Sequence, residues 1–162
     1  MDFFIYMRFC MFFSRFILFV IFIFPSFAFS EVLVPFDSDV ESSCTINMRS
    51  PGLMVLNGFS LLSSGANGGR SAEVDIFTTG TDFRVFLNAP ERFRVSPAGV
   101  GSVMFNASYS SSGATHASGV AGNDALKLGL GVSNISIDLN AEASGFVFPN
   151  GHYSADVTVI CE

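Results

Sequence analysis

Few side chains in this sequence combine the type and spacing that chemistry requires. His116 lies in a Gly/Ser/Ala-rich stretch, and His152 follows Pro149-Asn150-Gly151. Imidazole can ligate a metal or move a proton, yet neither histidine belongs to an HExxH, CxxC or GxSxG arrangement. Each reads as a solvated loop residue. Asp37, Asp39 and Glu41 alternate, so a strand would carry all three carboxylates on one face. Such oxygens suit calcium, while a solvated, self-repelling edge needs no ligand at all. Arg84, Arg92 and Arg94 suggest either an anion patch on an outward sheet face or ion pairs with Glu73, Asp75 or Glu91. The glycines at 65–69 and 119–122 lack the following helix and lysine of a phosphate cradle. These features predict no enzyme, no cofactor and no metal site.

The reactive side chains that do form a pattern are cysteines. Cys10 precedes an apolar run and cannot be a lipid-attachment cysteine, which would follow it. Cys44 and Cys161 remain. A lone pair in an oxidising compartment is most simply one disulfide, because no further cysteine or nearby histidine completes a zinc site. In the chain-entropy account, closing a loop of about 100 residues stabilises by roughly 4–5 kcal/mol.

Export is read from residues 1–30. Arg8 and Arg15 form a basic region, Phe16 to Phe24 is uninterruptedly apolar, Pro25 breaks the run, and Ala28-Phe29-Ser30 is a small-x-small cleavage site. The uncharged run of about 15 residues falls short of the ~20 that span a bilayer. A cleaved signal peptide is therefore expected, with no membrane association afterwards. Met7 and Met11 offer alternative starts. Removing one acid and two bases makes the formal charge one unit more negative than the −6 of the whole chain. An acidic surface repels phosphate backbones, so nucleic acid is not an expected partner.

The elements that must position these residues are strands. Alternation at period 2, punctuated by Gly, Ser, Asn and Pro, runs through the chain. The expected inward faces are Val32-Val34-Phe36 in a leading strand, then Cys44-Ile46-Met48, Val74-Ile76-Thr78 and Phe83-Val85-Leu87. They continue with Val103-Phe105-Ala107-Tyr109, Leu126-Leu128-Leu130, Ile135-Ile137-Leu139 and Tyr153-Ala155-Val157-Val159-Cys161. Phe93 and Val95 open a further short strand. Residues 63–71 and 110–124, poor in bulky side chains, read as exposed loops. About nine short strands at such spacings predict an all-β, Ig-like two-sheet antiparallel β-sandwich. It would occupy residues 42–162, preceded by an N-terminal extension at 31–41.

The ending Pro149 to Glu162, with Gly151-x-Tyr153 leading an alternating strand, resembles the C-terminal strand of bacterial fimbrial subunits. Similar endings occur in spore-coat-U-like secreted proteins, alpha-type colonisation fimbriae and the major subunit of the common pilus. The pair of strands carrying Val74 and Ile76, then Phe83, Val85 and Leu87, is a looser similarity. Gly151 would permit the turn and Tyr153 would anchor it. The chain departs from those families in ending Cys161-Glu162 rather than on an apolar residue. A first-to-last-strand disulfide also differs from their bridge between two early strands.

What the resemblance implies is an incomplete sandwich, filled by a neighbour's N-terminal extension. Glu31 to Glu41 is the candidate extension. Val32, Val34, Phe36 and Val40 lie at steps of two, Ser38 interrupts, and Pro35 falls on the opposite face. The same segment could instead pair within its own domain or form a loose terminus. Two functions follow as expectations. One is a filament subunit that binds identical or related subunits and a periplasmic chaperone. The other is a self-contained secreted or periplasmic domain that recognises a glycan or protein through residues 63–71 and 110–124.

Overall fold

The computed structural model describes residues 30–162, so the signal-peptide expectation lies almost wholly outside the described residues. The chain divides into a unit ending at Ser38 and a compact unit from Asp39 to Glu162. In the first unit, residues 30–38 form no strand and their side chains are exposed. The leading strand expected at Val32–Phe36 is thus not formed.

The compact unit is all-β, and no helix occurs among the described residues. Its strands are β1 (Cys44–Ser50), β2 (Val55–Asn57), β3 (Leu61–Ser63), β4 (Ala72–Thr78), β5 (Arg84–Asn88), β6 (Val103–Gly113), β7 (Ala117–Ala121), β8 (Leu126–Lys127), β9 (Gly131–Ala143) and β10 (Thr158–Cys161). They form two antiparallel sheets, one of seven strands and one of three.

The large sheet is organised by β9. One edge of β9 pairs with β6 over residues 133–143. Its other edge pairs first with β4 and then with β3. Outside these lie β1 on β4, β2 on β3, and β7 on β6. The small sheet runs β10-β5-β8.

Alternation decides which faces meet. Val74, Ile76, Tyr109, Ile135 and Ile137 of the large sheet are buried together with Val85 and Leu87 of the small one, and Leu128 joins them. These are the inward positions expected from the period-2 pattern. A second cluster gathers Leu62, Ala141, Ala143 and Phe148 under Phe93, Phe105 and Tyr153. Phe93 meets Phe105 and Tyr153 edge-on, at ring-centroid distances of 4.8 and 5.1 Å; such geometry adds to simple burial.

The side of the molecule at β7 and β8 is closed. The Leu87 N–H donates to Gly122 O at 2.6 Å. The fully buried Tyr109 hydroxyl lies 2.7 Å from Asp124 O and 3.1 Å from Val85 O. Burial, reinforced by the Asp124 carboxylate, raises the Tyr109 phenol above its ordinary value of 10.0.

Three expectations are corrected and a fourth is refined. Residues 110–124 are not a loop: β6 continues to Gly113 and pairs with β7. Ser111 and Ser133 lie buried around Thr115, with Ser111 Oγ donating to Thr115 O and Ser133 Oγ 3.0 Å from Thr115 Oγ1. Small hydroxyl side chains here satisfy one another instead of seeking water. Residues 63–71 do form a loop between β3 and β4, with Gly65, Asn67, Gly68 and Arg70 exposed, but it is tied down rather than loose. Ser64 is buried, Ser64 and Ser71 both donate to Asp138 Oδ1 at 2.7 Å, and Arg70 bridges to Leu53. The strand expected through Leu130 stops at Lys127, and Leu130 is exposed. The last strand begins only at Thr158, while Val95 makes a single bridge to Ser154.

Candidate functional site

The side opposite β7 and β8 is open. β1 is an edge of the large sheet and β10 an edge of the small one; among the described residues no strand pairs with either on its outer side. The two edges are joined at one end by the disulfide Cys44–Cys161, with Cα atoms 6.5 Å apart and a sequence separation of 117. The expected bridge is formed, and it links the first strand of the domain to the last.

Between the two edges runs a groove of about 700 Å³. Met48 and Ser50 of β1 form one wall, and residues 151–157 with Val159 form the other. Its floor is Val74, Ile137, Leu139 and Leu62 from β4, β9 and β3. The same surface would be core if another element covered it.

Two inward-facing residues beside the groove are exposed. Ile46 faces Ile76 directly across the β1–β4 ladder, and Met48 faces Val74. Directly opposed residues point to the same side of a sheet. Ile76 and Val74 are 0% and 7% exposed, yet Ile46 and Met48 are 37% and 75% exposed. The sequence marks both as inward, and the structure puts them inward and wet. A bulge between Met48 and Ser50 sets Arg49 aside, and its guanidinium pairs with Asp75 at 3.4 Å.

The groove's other end is shaped by Gly151 and Tyr153. A Cβ on Gly151 would collide with the Pro97 ring, and its φ of 156° suits glycine. The Tyr153 hydroxyl donates to Pro149 O at 2.7 Å, and its ring packs against Phe93 and Phe148. This closes a tight corner before β10.

The remaining candidates separate. His152 lines the groove; His116 lies exposed between β6 and β7. Arg94 pairs with Asp156 at 2.8 Å and donates to Ser154 Oγ at 2.6 Å. Its partner is therefore none of Glu73, Asp75 and Glu91, because residues 154–156 run beside Val95. Arg92 and Arg94 line one depression with Pro90, Phe93 and Asp156, and Arg84, on β5, is not among its walls. Asp37, Asp39 and Glu41 are exposed, and among the described residues no group of three metal-ligating side chains gathers. Val32, Val34, Phe36 and Val40 are 76%, 66%, 93% and 78% exposed.

No family model matches the chain, and no curated protein or solved structure shows significant similarity to it.

Proposed function

We propose that this chain is an exported, self-assembling subunit of a bacterial surface filament, completed by a strand from another copy. We read the two sheets as an immunoglobulin-like sandwich. In that fold one sheet carries strands A, B, E and D and the other carries C, F and G. The pairing β1-β4-β9-β6 matches A-B-E-D, and β5 with β10 matches C-F. Tyr153, five residues before β10 and bonded back to Pro149, supports this reading because such folds carry a tyrosine corner on the approach to strand F. Among the described residues nothing takes the place of G.

The observation that carries this reading is the wet inward face of Ile46 and Met48 beside the unpaired edge of β10. A strand laid there would pair with β10 and cover both residues. Unpaired edges that expose apolar surface are an association hazard unless something covers them. The proposed occupant is Glu31–Glu41 of a second copy. It has alternating Val32, Val34, Phe36 and Val40, and all four are exposed. Its residues 32–40 in extended form reach about 30 Å, which suits the seven residues of β1 and the longer 151–159 wall.

An open apolar groove of this kind needs a periplasmic chaperone to shield it before assembly. The mechanism is non-covalent: main-chain hydrogen bonds and side chains filling successive pockets. It involves no catalytic step, metal or cofactor.

The test is the solution mass of the exported protein with and without residues 31–41. Concentration-dependent oligomers from the full chain and monomers from the deletion are expected. Monomers of equal stability in both cases would overturn the proposal in favour of a self-contained binding domain.

A further inference from the structure

We propose that Arg94 and His152 read the acidic half of the incoming strand and so fix the direction in which it enters the groove. This rests on the strand-complementation reading, and the occupant is again Glu31–Glu41 of a second copy.

The groove is chemically lopsided. Its charged or titratable lining residues are Arg94, His152, Tyr153 and Asp156, and all four lie toward the end where the chain turns into its last strand. Toward the Cys44–Cys161 end the same wall continues with Val157 and Val159. Arg92 shares a depression with Arg94, so two guanidiniums stand against the single Asp156 carboxylate. Arg94 uses one Nε–H on Asp156 and one Nη2–H on Ser154. The rest of its five donors are left for another carboxylate.

The occupant is lopsided in the same sense. After Glu31, Val32, Leu33, Val34, Pro35 and Phe36 make its first half mainly apolar, while Asp37, Ser38, Asp39 and Glu41, with Val40 among them, make its second half mainly polar and acidic. Only one direction sets like against like. Running antiparallel to β10, the strand puts its apolar half at the disulfide end and its acids beside Arg94, Arg92 and His152. The reverse direction buries Phe36 and its neighbours less well. It also moves the acids toward Glu162, where no lining residue is positively charged. Rim charges of this kind set register and reject wrong pairings more than they add raw affinity.

The experiment uses the full exported chain and a fluorescent synthetic peptide of residues 31–41, with anisotropy as the readout. At low ionic strength, a peptide carrying Asp37→Asn, Asp39→Asn and Glu41→Gln should bind about threefold to tenfold more weakly. The gap should close in high salt. Arg94→Glu should weaken the native peptide and restore preference for one with Asp37→Lys, Asp39→Lys and Glu41→Lys; a merely structural role would weaken both alike. Equal binding of native and neutral peptides overturns this inference while leaving strand complementation standing. Binding of neither peptide overturns both.

Discussion

Met48 and Val74 are direct cross-strand partners on β1 and β4, share one face, and differ in exposure by 75% against 7%. Both line the groove. Val74 lies in its floor, packed into the core, whereas Met48 stands exposed on its wall.

A substitution at each position should therefore report on a different property. Met48→Asp should change the stability of the isolated subunit by no more than about 0.5 kcal/mol, since it removes little buried surface. It should nevertheless abolish assembly, because a complementing strand would bury the new carboxylate. Ile76→Ala, in the covered core, should cost about 2–5 kcal/mol. Urea unfolding and light scattering on the same samples separate the two effects. Strong destabilisation by Met48→Asp would show that the groove is not open.

Much of this architecture could be read from residue order because inward residues recur at every second position. Val74-Ile76, Val85-Leu87 and Ile135-Ile137-Leu139 are legible in this way, and all are buried. The same signal marks Ile46 and Met48 as inward but is silent about whether anything covers them, since period-2 alternation reports facing and not exposure. Segments built from small side chains were illegible for a different reason. Ser111, Thr115 and Ser133 are held by hydrogen bonds to each other and to the backbone, and no hydropathy pattern reports those bonds. Asp156 as partner of Arg94 depends on a bridge between Val95 and Ser154, a long-range pairing with no local signature.

The disulfide gives a second prediction. It spans a sequence separation of 117, so its loss should lower stability by about 4–5 kcal/mol in the chain-entropy account. Among the described residues it also pins the one end at which β1 and β10 are joined. Cys44→Ser with Cys161→Ser should therefore reduce the denaturation midpoint and weaken capture of the 31–41 peptide together. A double variant that unfolds at an unchanged urea midpoint would contradict this.

The corner before β10 supplies a third. Gly151→Ala forces a methyl onto the Pro97 ring and should cost about 1–3 kcal/mol. Because the clash is with one ring, adding Pro97→Ala should recover part of that loss, a coupling that a double-mutant cycle would detect. Tyr153→Phe removes the bond to Pro149 O and should cost roughly 1 kcal/mol. Strictly additive costs for Gly151→Ala and Pro97→Ala would show that the two residues do not compete for space.

A fourth prediction concerns alkaline pH. Burial, then the Asp124 carboxylate, raise the folded-state pKa of Tyr109 above 10.0, and the unfolded phenol titrates at about 10. The native state therefore holds the phenolic proton more tightly than the unfolded chain does. The resulting stability is fully present below the unfolded value and is lost as pH rises from there through the folded one. Stability should be flat with respect to this group near neutrality and fall above about pH 10. Tyr109→Phe should remove that component of the alkaline loss. The variant should be less stable near neutrality by roughly 1–3 kcal/mol, since the carbonyls of Val85 and Asp124 lose their shared donor. Urea midpoints measured across the alkaline range for both proteins would decide it. If the two curves fall in parallel, Tyr109 is not the group that titrates.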